Sequence, residues 1–263
     1  MAIGLEIAVF GAAAASRAAE LGASRVELNA LGSYYAGGLT PSLEDLQAIS
    51  HLQIPVRIMI RPRGPPPGEF ERDFIYSDEE FWQMEADIHK FKESGLLNQA
   101  RGDGFVFGIL RENAQSHDEL SARKPSVDKD RCARLVAAAR PFSAVFHRAF
   151  DEIASNNYRE SNVDTGLEDL AACGFNALLT SGGVGNAIRN LDMLDKIIAR
   201  AGTLGIEIIV GGGIRKTTVE EISLRLGLKE RTEPVYVHSA CLLAADAEYP
   251  DPDEVTTILA RLG

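Results

Sequence analysis

The chain has 263 residues, 45% of them hydrophobic and 25% charged, with a formal net charge of −11. That size and composition suit one domain with a sizeable core. The acidic balance, with no basic cluster to offset it, argues against nucleic acid or an anionic membrane surface as a partner.

Apolar stretches such as residues 206–210 are too short to span a bilayer, and the first residues carry no basic region of a secretory signal. Cys132, Cys173 and Cys241 lie far apart without a CxxC pair, which points to a reducing, cytoplasmic compartment.

In chain order, eight apolar runs read as strands: 5–10, 25–29, 56–62, 104–110, 143–150, 177–183, 206–214 and 234–240. Helical patterns alternate with them. Residues 12–22 are alanine-rich and stop on a glycine. Ser42 is placed as an N-cap with Asp45 at capping-box distance, and Ser77 with Glu80 repeats the signature before 81–95. Helices are further expected over 127–139, 163–174, 186–202, 217–227 and 253–262. Eight strand–helix units predict a single (β/α)8 TIM-type barrel spanning residues 1–263. Three segments, 63–76, 111–126 and 151–162, exceed a minimal connection and read as irregular backbone. They follow strands three, four and five, so all three crown the carboxyl-end face, where such barrels place their chemistry.

Side chains alternate along a strand, so parity sorts the inward residues from the outward ones. Aliphatic Leu5, Ile7 and Val9 suit the helix-covered side, which sends Glu6 and Ala8 inward. The same arithmetic sends Glu27 and Asn29 inward, and Arg57, Met59 and Arg61 after them. Glu6, Glu27 and Arg61 are expected to converge at the barrel mouth. Buried charges are costly unless paired or bound to a ligand. The set is therefore either a register-fixing ion network or an acid/base or hard-cation site in which Arg61 orients an anion. In the fifth strand either His147 or Arg148 joins them, since Phe146 suits both faces. Strands six and seven end in Thr180-Ser181-Gly182-Gly183 and Gly211-Gly212-Gly213-Ile214. With Ser181, Ser239 and Arg148 nearby, the backbone of Gly211, Gly212 and Gly213 is a candidate anion cradle.

Several segments are distinctive in combination: Gly37-Gly38-Leu39-Thr40-Pro41-Ser42, Met59-Ile60-Arg61-Pro62-Arg63-Gly64, Tyr76-Ser77-Asp78, Gly104-Phe105-Val106-Phe107-Gly108 and Phe146-His147-Arg148-Ala149-Phe150-Asp151. With Leu179-Thr180-Ser181-Gly182-Gly183, the Gly211–Ile214 run, Glu6 and Val26-Glu27-Leu28, they resemble the CutC copper-homeostasis family from about Leu5 to Ala240. The resemblance implies a TIM-like barrel and a cytosolic homo-oligomer that binds copper in tolerance or trafficking, with no enzymatic reaction firmly attached. It also implies candidate copper ligands. The family commonly has a cysteine two residues after the first-strand Glu and another directly after the second-strand Glu-Leu, where this chain has Ala8 and Asn29. The family's last-strand His falls at Val237, so His238, one residue on, is expected to point the other way. The family's arginine after Ser-Ala is replaced by Cys241. Copper(I) favours thiolate and thioether ligands, which leaves Met59, His147 and Cys241 as weak candidates and predicts low copper affinity.

Two functions follow from these readings, each with a small anion or a metal ion as partner. One is a copper-homeostasis protein of the CutC type. The other is a barrel enzyme acting on a small phosphorylated, carboxylated or sugar-like substrate, with Glu6 or Glu27 as base and Arg61 and His147 orienting or polarising.

Overall fold

Strands buried on both faces need cover on both, and a parallel sheet closed on itself inside a ring of helices supplies it. The computed structural model describes residues 3–68, 72–112, 124–155 and 160–263. Its strands are β1 (Gly4–Phe10), β2 (Arg25–Asn29), β3 (Val56–Met59), β4 (Gly104–Phe107), β5 (Leu110–Glu112), β6 (Pro125–Val127), β7 (Ser143–Phe146), β8 (Ala177–Thr180), β9 (Glu207–Val210) and β10 (Val235–Ser239). Eight of them form a closed parallel barrel in the order β1-β10-β9-β8-β7-β4-β3-β2, and β5 and β6 pair separately as an antiparallel ribbon.

The helices are α1 (Ala12–Glu20), α2 (Leu43–Ala48), α3 (Asp78–Glu93), α4 (Lys129–Ala139), α5 (Phe150–Ile153), α6 (Glu160–Cys173), α7 (Leu191–Thr203), α8 (Val219–Arg225) and α9 (Pro252–Leu262). Both predicted capping boxes form, on Ser42 with Asp45 and on Ser77 with Glu80. Asp45 closes its box although Glu is the commoner partner.

Alternation holds in the first three strands. Leu5, Ile7, Val9, Val26, Leu28, Ile58 and Ile60 belong to the large core between barrel and helices. A smaller cluster of Met59, Val106, Val145, Ala177, Leu179 and Ile209 fills the barrel interior. Burying each such aliphatic side chain contributes roughly 1.5–3 kcal/mol. This inner plug is what leaves the polar residues above it to form a mouth.

The structure departs from expectation in the long connections. The ends of the 111–126 segment are ordered as the β5–β6 ribbon, so Val127 closes a strand instead of opening a helix. Asp151 lies in the short helix α5 rather than in irregular backbone. The 186–202 helix begins at Leu191, after a 3-10 turn at Ala187–Arg189. Residues 69–71, 113–123 and 156–159 of the long connections lie outside the described residues. No helix among the described residues is long and apolar enough to cross a membrane.

Candidate functional site

The carboxyl ends of the strands open into a cavity of about 830 Å³, lined by Glu27, Asn29, Met59, Arg61, His147 and His238 among others. Register decides which of the inward charges meet. Glu6 on β1 is flanked by Arg25 on β2 and by His238 on β10. Arg25 Nε donates to Glu6 Oε2 in a buried ion pair, and Arg25 Nη1 reaches Glu207 Oε1 at 2.9 Å. On the other side His238 Nδ1 lies 2.7 Å from Glu6 Oε1. Burial opposes ionisation of Glu6, but Arg25 and His238 outweigh it and bring its pKa down to about 2. Burial likewise opposes the charged form of His238, and the Glu27 and Glu6 carboxylates prevail, raising its pKa.

Glu27 is in a different electrical position. Its Oε1 accepts from Asn29 Nδ2 at 3.2 Å, while its Oε2 is buried with no partner among the described residues. Burial and the nearby Glu6 raise its pKa despite the opposing pull of His238. Glu6, Glu27 and His238 place one ligand atom each within 4.8 Å of one another. The orphaned Asn29 Oδ1 turns instead toward Gly38, where an added Cβ would meet it at 2.1 Å.

His147 enters the mouth and Phe146 the outer core, which settles the parity left open in the fifth strand. Its Nδ1 accepts from the Ala149 N–H at 3.3 Å. Burial, assisted by the Arg61 charge, lowers its pKa to about 3, so the ring is neutral near pH 7 with its proton on Nε2. That Nε2 is buried without a partner among the described residues. The Phe74 ring packs on it at a centroid distance of 4.8 Å.

Three expectations need correction. Arg61 does not join the carboxylates: it donates to the carbonyls of Ala36 and Gly38 and pairs with Asp73 at 2.7 Å. It therefore braces the loop after β2 against the one after β3. The guanidinium that neutralises Glu6 is Arg25, one strand closer. His238, expected to point away, enters the barrel, and Val237 takes the outer face. Finally, the hydroxyls of Ser181 and Ser239 are engaged internally. Ser181 Oγ lies 2.7 Å from both Asp151 Oδ2 and the Gly183 carbonyl and donates its one proton to either, and Ser239 Oγ donates to the Ile214 carbonyl.

Sequence reasoning missed Arg25, His238 and Asp151. Arg25 had a signal, since it shares parity with Glu27. Asp151 had none, because its role depends on where α5 lands. It accepts from Thr180 Oγ1 at 2.6 Å and the Ser181 N–H at 2.9 Å, and it holds Arg148 Nε at 2.8 Å.

These features define a (β/α)8 barrel protein with a carboxylate–imidazole cluster inside the barrel, where Glu27 and His238 line the mouth and Glu6, expected there too, lies below it. The chain belongs to the CutC family, whose model matches residues 3–237. It is 36% identical over 219 residues to the copper homeostasis protein CutC homologue of Mus musculus, covering 83% of this chain and 68% of that one. It is 32% identical over 249 residues to a CutC family protein of Treponema denticola, covering 90% and 87%. A CutC crystal structure from Streptococcus agalactiae superposes with a TM-score of 0.69 at 27% identity, covering 90% of this chain and 98% of that one.

Proposed function

We propose that this barrel handles copper as cargo and holds it in the divalent state at Glu6, Glu27 and His238. The observation that carries the reading is the meeting of two carboxylates and an imidazole within 4.8 Å. The unpartnered Glu27 Oε2 supports it, because a buried acceptor without a partner is costly and a cation supplies the missing interaction. Carboxylate and imidazole ligands suit copper(II), which stands highest in the divalent affinity order, whereas copper(I) selects thiolate and thioether.

The soft candidates do not form an alternative. Burial pushes the Cys241 thiol up to about 11, so it stays protonated. Cys132 and Cys173 hydrogen-bond to the carbonyls of Ile109 and Lys129, away from the mouth. Uptake of the ion requires His238 to give up its contact with Glu6, and Arg25 competes for the same carboxylate, which favours modest affinity. Three free cysteines support a cytosolic setting, and self-association is carried over from the family resemblance.

Metal-free protein titrated with copper(II) and followed by electron paramagnetic resonance should give one site with nitrogen and oxygen ligands. Glu27→Gln and His238→Gln should each abolish it while the far-UV circular dichroism spectrum is retained. Because Glu27 has a raised pKa, affinity should climb with pH as its proton is released. Unchanged copper(II) binding in both variants would overturn the proposal, as would a tighter copper(I) site that depends on Cys241.

A further inference from the structure

Beyond β9 the backbone leaves a run of donors unused. The Gly211 N–H donates to the Thr180 carbonyl at 2.9 Å, and the Arg215 N–H to Thr218 Oγ1 at 3.0 Å. Between them, the N–H groups of Gly212, Gly213 and Ile214 have no acceptor among the described residues. Gly212 and Gly213 are left-handed, with φ of 93° and 71°, a conformation that side-chain-bearing residues adopt only with strain. Consecutive unpaired N–H groups in such a turn form a concave donor set that binds anions.

One guanidinium group stands at this turn and a second, that of Arg215, belongs to the same cavity. A Cβ on Gly212 would come within 3.3 Å of Arg148 Nη2, so the Arg148 guanidinium lies against the Gly212 backbone. Asp151 fixes it there through Nε. Arg215, also lining the cavity, donates to the Leu242 carbonyl and has no carboxylate within ion-pair distance among the described residues. The unpartnered Nε2 of His147 and Oε2 of Glu27 belong to residues of the same cavity. They form a donor and an acceptor, both buried, on residues that line the same cavity as the turn.

We propose that this turn, with Arg148 and Arg215, binds the phosphate of a small phosphomonoester whose hydroxyl or carbonyl groups reach His147 and Glu27. Three backbone donors and two guanidinium groups match the several oxygens of a phosphate better than the two of a carboxylate. The cavity volume falls within the range of small-metabolite sites. The connections after strands seven and eight are a recurrent location for phosphate in this architecture. The expected cradle over Gly211–Gly213 thus moves one residue along the chain. Ser181 acts on it indirectly, by accepting from Arg148 Nη2 at 3.0 Å.

The test uses metal-free, 15N-labelled protein titrated separately with glycerol 3-phosphate, inorganic phosphate and glycerol. Because no copper is present, failure here leaves the copper reading standing, and failure of copper binding leaves this one standing. Glycerol 3-phosphate should give saturable shifts at the amides of Gly212, Gly213 and Ile214 and at the His147 ring. Inorganic phosphate should shift the three amides but not the ring, and glycerol should do neither. Arg215→Gln should weaken the response by roughly tenfold, the scale of one charge-assisted contact. Arg148→Gln should do the same, and Arg215→Gln keeps the question answerable should the Arg148 variant fail to fold. Absence of saturable shifts at the turn, or equal binding by Arg215→Gln, would overturn the proposal.

Discussion

The imidazole of His238 meets the carboxylate of Glu6 at 2.7 Å across the seam between the last and first barrel strands. With Arg25 on the opposite side, Glu6 is a buried anion held between two cationic partners, and its ionisation is coupled to closure of the barrel. Glu6→Gln should therefore be strongly destabilising, since it leaves the Arg25 guanidinium, 3% exposed, with the partly exposed Glu207 as its one carboxylate partner among the described residues. Breaking a buried pair from one side costs on the order of 3–5 kcal/mol. Urea unfolding monitored by fluorescence and circular dichroism will read the difference, and a loss below about 1 kcal/mol would mean that the pair behaves as an exposed one.

His147, which is buried, and His238, which is partly buried, should tilt the pH–stability curve in opposite directions. His147 has its pKa depressed to about 3, so its contribution is present above its ordinary pKa of 6.5 and is lost as pH falls below it. His238 has its pKa raised, so its contribution is full below 6.5 and is lost as pH rises through the folded value. Denaturation at a series of pH values should show the acid-side loss reduced in His147→Phe and the alkaline-side loss reduced in His238→Gln. The limiting slope for one proton is about 1.4 kcal/mol per pH unit.

Arg61→Ala tests bracing against ligand contact. The side chain ties Ala36, Gly38 and Asp73 together, and its guanidinium lies 5.1 Å from the centre of the Phe74 ring. Its removal should cost roughly 2–4 kcal/mol, as expected when several charge-assisted bonds are lost together. Hydrogen exchange should accelerate around Gly38–Thr40, while phosphate-induced shifts at Gly212–Ile214 persist. Selective loss of those shifts in a still-folded variant would assign Arg61 to the ligand.

Ala8 and Asn29 both line the mouth, and their strands are neighbours. The double substitution Ala8→Cys with Asn29→Cys places two thiols on that face, where softer ligands favour copper(I). Affinity measured by competition with a copper(I) chelator should rise by at least about tenfold, or 1.4 kcal/mol. No gain would show that the two positions cannot ligate one ion together.

Much of the architecture was legible because it rests on short-range rules. A two-residue alternation separates Glu6 from Leu5 and Ile7, and Glu27 from Val26 and Leu28, whatever the strands pair with. The boxes at Ser42 and Ser77 close within three residues. The site was legible in its inward set and less so in its partners. Arg61 carries the right parity, but the backbone turn at Tyr34–Ala36 and Asp73 intercept it before it reaches the carboxylates.

The sequence by itself determined eight strand–helix units, the inward direction of Glu6, Glu27 and Asn29, and the caps that start α2 and α3. Only the tertiary structure decided that Glu6 answers to Arg25 and His238, that Asp151 returns from α5 to hold the end of β8, and that the free donors begin at Gly212 rather than Gly211. The reason is physical. Parity and capping are local, while hydrogen-bond partners across a barrel depend on the register between strands far apart in sequence, and that register exists only once the sheet has closed.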